Sequence, residues 1–192
     1  MQRLAALFVL LFSMPCAWAQ GPYVEVKTSM GSFELELYPD KAPKTVANFL
    51  QYAREGAYKG TVFHRVIDGF MIQGGGLDQN MRPIPTRAPI ENEAGRAFAA
   101  GLKNEAGTIA MARTSNPHSA TAQFFINVKD NGFLDYREPS LRGYGYAVFG
   151  RVVGGMETVL RISKVPTTRA GMYENVPQRP VIIESVTLKS VK

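Results

Sequence analysis

The chain has 192 residues, with 22 basic against 16 acidic side chains, a net charge of +6 and 45% hydrophobic residues. That length suits one domain with a sizeable core, and the basic excess is scattered without a run of adjacent Lys and Arg, which argues against a nucleic-acid partner. The one cysteine, Cys16, lies in an N-terminal leader, so the chain beyond it can form neither an internal disulfide nor a thiolate metal site.

The leader is read from three features in order. Arg3 gives a positive start, residues 4–12 are uninterruptedly apolar, and Ala17-Trp18-Ala19 offers the small-x-small pattern that signal peptidase cuts. Residues 1–19 are therefore expected to be a cleaved signal peptide, leaving a single domain from Gln20 to the C-terminus. The apolar run is shorter than the roughly 20 residues that span a bilayer, and Pro15 breaks it. Met14-Pro15 stands before Cys16 where lipoprotein cleavage would need small residues. Export to the periplasm without stable membrane association is the expectation.

A hairpin follows. Residues 23–27 and 33–37 each alternate apolar with charged side chains, and Ser29-Met30-Gly31 turns between them. Pro43 suits the first turn of a helix whose Val46, Phe49, Leu50 and Ala53 share one stripe, and Gly56 ends it. Further strands are expected over residues 61–66, 70–73, 108–112, 123–128, 146–153 and 181–188, with a second helix over 156–163. Residues 74–107 and 129–145 read as long loops, which in a small domain are usually functional. Many short strands with glycine-rich turns and two helices predict a mainly β fold, a closed antiparallel barrel with helical lids.

Three segments exceed what a plain barrel needs: FHRVIDGFMIQGG at 63–75, AMAR at 110–113 with SATAQFFI at 119–126, and Phe133-Leu134-Asp135 with Tyr146 beyond it. In the strand at 123–128, period-two alternation puts Phe124, Ile126 and Val128 on the core face. Gln123, Phe125 and Asn127 then face outward, so that a large aromatic stands outside between two amides. Phe70 and Met71 cannot share a face unless the chain bends near Gly69.

In these segments the chain resembles the cyclophilins, whose two signatures appear in order within a likeness running from the first hairpin to the last strand. The resemblance implies an eight-stranded antiparallel barrel closed by a helix at each end. It also implies peptidyl-prolyl cis/trans isomerisation, without metal or cofactor, in a groove on the barrel's outer surface. Proline-containing unfolded or flexible polypeptides would be the partners, and the protein a monomer. Arg65 would polarise the prolyl nitrogen, with Gln73 and Phe125 completing the catalytic set. Phe70, Met71, Phe125 and Leu134 would line the proline pocket, and main-chain groups of Ala112 and Arg113 would meet the residues before proline. Gln123, Phe133 and Tyr146 would complete the substrate-binding shell. Phe133 stands where many eukaryotic members have tryptophan, and Tyr146 where they have histidine, which implies weak cyclosporin binding. A peptide-binding holdase using the same groove is the alternative reading.

The chemistry asks for such a set. A peptide bond resists rotation by about 18–20 kcal/mol because the amide is conjugated. A catalyst need only bind the twisted state better than either planar one. A permanently charged guanidinium aimed at the prolyl nitrogen, beside an apolar ring pocket, does this. Other candidates fall away. His64 and His118 lack an Asp or Cys at catalytic or metal-binding spacing and read as a satisfied structural residue and a loop residue. Gly74-Gly75-Gly76 has no Gly-Lys-Ser/Thr after it, and Glu91 and Glu93 read as backbone-bonding loop residues.

Overall fold

The structure, a computed structural model, describes residues 21–189. The leader, with Cys16, Trp18 and the expected cleavage site, lies outside the described residues. Among the described residues no helix is long and apolar enough to cross a membrane.

The alternating N-terminal segments pair as β1 (Tyr23–Thr28) and β2 (Gly31–Leu37), burying Val24, Val26, Phe33, Leu35 and Leu37. Helix α1 (Pro43–Arg54) starts on its proline and has no cap from its own N-terminus. Glu93 supplies one from afar. Its carboxylate accepts from the Thr45 N–H (2.8 Å), the Thr45 hydroxyl (2.8 Å) and the Lys44 N–H (3.2 Å), and Glu91 pairs with Lys44. Negative charge there satisfies free N–H groups at the positive end of the helix dipole. Both carboxylates thus serve the fold.

The chain continues through β3 (Thr61–Ile67), β4 (Met71–Asp78), the short α2 (Ala94–Ala99), β5 (Thr108–Met111) and β6 (Phe124–Asn127). It ends with β7 (Val148–Gly154), α3 (Met156–Ser163), a hairpin of β8 (Thr167–Ala170) and β9 (Tyr173–Pro177), and β10 (Ile183–Lys189). Eight strands form one antiparallel sheet in the order β10-β1-β2-β7-β5-β6-β4-β3. Its concave face holds a core in which the Phe49 ring of α1 lies 5.2–5.5 Å from those of Tyr58, Phe124 and Phe149. Val159 and Ile162 of α3 join the same core.

Four details differ from the sequence expectations. The sheet is curled, and no continuous ladder closes it as a barrel. Its end strands meet at one isolated bridge, Val62 with Ile182, supported by Gly60 N–H to Ile183 O (2.8 Å) and Phe63 N–H to Val181 O (2.9 Å). The reason is local: both backbone groups of Ile182 are spent on Ser29, and β3 shifts register twice. Second, β4 runs on through Gly74-Gly75-Gly76 to Asp78, where glycine suggested a loop. Third, β7 begins at Val148, and just before it the Tyr146 N–H is drawn off to Leu134 O (2.9 Å). Last, the β8–β9 hairpin and α2 were not expected.

Candidate active site

Strand register builds the site directly. Arg65 on β3 stands opposite Gln73 on β4, Gln73 opposite Phe125 on β6, and Phe125 opposite Ala110 on β5. This row crosses the outer face of the sheet. The next row, Val66, Ile72, Ile126 and Ile109, points into the core. Phe125 therefore faces outward as alternation requires. It is nevertheless buried, within a separate cluster of Met71, Ala110, Ala112 and Val148.

Over this row lies a cavity of about 120 Å³ lined by Arg65, Phe70, Met71, Gln73, Ala112, Arg113, Phe125, Leu134 and Tyr146. Phe70 and Met71 both reach it because the chain does bend between them and Arg65. Gly69 takes φ +63°, a left-handed conformation that favours glycine, and the Phe70 N–H closes the turn onto Ile67 O (3.1 Å). Phe125 meets Tyr146 edge-on, with ring centroids 5.5 Å apart. Two expected residues stand apart. Phe133 is 62% exposed, stacks on Phe70 at 5.7 Å and lines an adjoining cavity. Gln123 acts one step back: its Oε1 accepts from Gln73 Nε2 (2.9 Å).

The polar side of the cavity is a short chain of amides ending in the guanidinium. Arg65 Nη1 donates to Gln73 Oε1 at 3.4 Å, a long contact that leaves most of its donors to the groove. Gly76 makes room for this arrangement. A Cβ there would stand 2.2 Å from Gln123 Cγ. The Ala112 N–H already donates to Gln123 O (3.0 Å). Among the described residues, the Ala112 carbonyl and Arg113 N–H show no backbone partner.

Sequence reading missed what holds the upper wall. Leu134 and Tyr146 belong to an irregular segment, pinned by a buried amide network. Asn127 Nδ2 donates to Thr108 Oγ1 (3.0 Å) and Asn104 Oδ1 (3.3 Å), and Asn131 Nδ2 donates to Asn127 Oδ1 (2.8 Å) and Phe70 O (3.0 Å). Asp135 then accepts from the N–H and side chain of Asn104. Such buried amides fix a loop where apolar contacts alone would let it slide, although Asn131 Oδ1 has no partner among the described residues.

His64, beside Arg65, is buried, and its Nδ1 has no partner among the described residues, so it is not the satisfied histidine expected. Burial lowers its pKa to about 4, the nearby Val62 backbone opposing the shift and the Arg65 charge adding to it. Its ring meets Tyr173 of the hairpin edge-on at 6.5 Å. His118 is a loop residue whose Nδ1 accepts from the Asn92 N–H (3.2 Å).

The cavity lining contains no thiol, carboxylate or imidazole. What remains is a ring-sized apolar pocket with a guanidinium at its mouth on a peptide-accessible surface. Such a site is shaped to hold an apolar ring beside a permanent positive charge.

Comparison with known proteins agrees. The sequence profile of the family described as cyclophilin type peptidyl-prolyl cis-trans isomerase/CLD matches residues 23–188. Peptidyl-prolyl cis-trans isomerase B of Escherichia coli is 56% identical over 165 residues, covering 86% of this chain and 98% of that protein. Peptidyl-prolyl cis-trans isomerase A of Dickeya dadantii is 50% identical over 177 residues, covering 92% and 90%. A crystal structure of a Cryptosporidium parvum cyclophilin superposes with TM-score 0.71 at 26% identity, covering 89% of this chain and 99% of that one. The chain belongs to the cyclophilin-type peptidyl-prolyl cis-trans isomerases, close to the bacterial B and A enzymes, and catalyses that isomerisation.

Proposed function

We propose that the protein isomerises X-Pro bonds in exported polypeptides as they fold in a bacterial periplasm, with Arg65 donating to the prolyl nitrogen. The prolyl ring sits against Phe125, Met71 and Leu134, with Phe70 at the edge. Gln73, fixed by Gln123, holds the substrate backbone, and the Ala112 carbonyl and Arg113 N–H pair with residues before proline. As the bond twists, the nitrogen loses conjugation and gains a lone pair. A guanidinium N–H stabilises that lone pair in the twisted state and has little to bind in either planar one. The observation that carries this reading is the register itself, which sets the Arg65 fork beside the apolar pocket, where among the described residues Gln73 alone bonds it.

The leader pattern at 1–19 supports export. Expression of the full chain in a bacterial host should yield periplasmic protein starting at Gln20, read by N-terminal sequencing. That protein should accelerate the slow, proline-limited refolding phase of a test substrate. Retention in the cytoplasm with an intact N-terminus would overturn the localisation, and an unchanged slow phase the folding role.

A further inference from the structure

Beyond Arg113 and Tyr146, the proline pocket adjoins a larger cavity of about 690 Å³ that also takes in Asn116, Phe133, Leu141 and Arg142. Its two charged residues are both arginines. Neither forms an ion pair among the described residues. Arg113 is held firmly: Nε donates to Gly145 O (3.0 Å), Nη1 to Thr114 O (2.9 Å), and the guanidinium lies 4.6 Å from the Tyr146 ring centroid. These bonds use two of its five N–H groups on neutral acceptors, so three donors and the full charge remain. Beside it, Phe133 and Leu141 are 62% and 72% exposed, an apolar surface left largely open among the described residues, with only the Phe70 ring stacked on Phe133.

We propose that this cavity is a specificity subsite for a carboxylate-bearing side chain close to the proline in the polypeptide. Arg113 pairs with the carboxylate, Phe133 and Leu141 cover its methylenes, and Arg142 adds a weaker, longer-range attraction. This rests on the isomerase reading of the central pocket and names the sequences it takes. The occupant is an acidic residue because the lining offers two unpaired cations, no anion and an apolar floor. Pre-fixing Arg113 on Tyr146 removes much of the ordering cost of the pair.

The test is a series of proline peptides carrying Glu, Gln or Lys at each position from two before to two after proline. Affinity is read by NMR titration and turnover by NMR exchange. At one position Glu should bind about five-fold tighter than Gln, the upper range for a solvent-accessible ion pair, and Lys more weakly than Gln. Arg113→Ala and Arg113→Gln should level the series, Arg113→Glu should favour Lys, and Arg142→Ala should shrink the preference. Ionic strength near 1 M, with a Debye length of about 3 Å, should flatten it in the wild type. Equal affinities at every position, or a Glu preference that survives both neutral Arg113 variants, would overturn the proposal. Affinity and turnover separate the two readings: a Glu preference in binding with no turnover would sink the mechanism and leave the subsite standing.

Discussion

Two neighbouring rows of the sheet, one residue apart, have opposite fates. Val66, Ile72, Ile126 and Ile109 face a core crowded with rings from α1, while Arg65, Gln73, Phe125 and Ala110 face a small cavity roofed by a loop. The first face carries the packed core, and the second carries the proposed recognition site. The difference lies in what covers each row. Helices and aromatics seal the inner one, whereas buried amides pin the outer cover and a ring-sized cavity remains beneath it.

The largest effect that would test this division is on the inner face. Phe124→Ala, at a fully buried ring packed edge-on against Phe49, Tyr58 and Phe63, should cost about 3–5 kcal/mol in denaturant unfolding. Turnover per folded molecule should stay near wild type. Phe125→Leu, one residue on, should cost only about 1 kcal/mol of stability. It should lower kcat/KM roughly ten-fold through loss of the aromatic floor and its Tyr146 contact. A reversed pattern would erase the distinction between the faces.

Next in size is acid sensitivity. His64 is neutral in the fold down to about pH 4, below its ordinary value of 6.5. Between those values the unfolded chain binds the proton and the folded one does not, so stability should fall as pH drops from about 6.5 to about 4. The loss should approach about 3 kcal/mol and level off below that. Unfolding curves across this range should show the slope in wild type and lose most of it in His64→Leu. The smallest expected effect is at Gly76→Ala. Gln123 can swing away from the added methyl, so stability should change little, but the Gln73 bond would go and kcat/KM should drop about three-fold.

Much of this was legible in the sequence because alternation and register share a period of two. Gln123 to Val128 placed Phe125 outward, and the need for a bend at Gly69 followed from Phe70 and Met71 being neighbours. What escaped had weaker local signals. The β8–β9 hairpin buries little along its length, so it has no apolar rhythm to read. Glycine at 74–76 reads as a breaker, yet here it lets β4 pass close under Phe63 and Gln123. Asn104 and Asn131 look like turn formers and Asn127 reads as an outward strand amide, and only the fold shows the three joined. Closure failed as an expectation because it depends on how Ser29 and Ile182, distant in sequence, spend their backbone bonds.

The claim on which all of this turns is that Arg65 acts on the twisted bond. The most direct measurement is NMR exchange on a proline tetrapeptide with wild type and Arg65→Ala, alongside thermal unfolding of both. Arg65 is exposed at the cavity mouth, so the variant should unfold like wild type. Its kcat/KM should fall by roughly 10²–10³, the usual loss for one transition-state donor. Turnover unchanged within a factor of two in a folded variant would contradict the account.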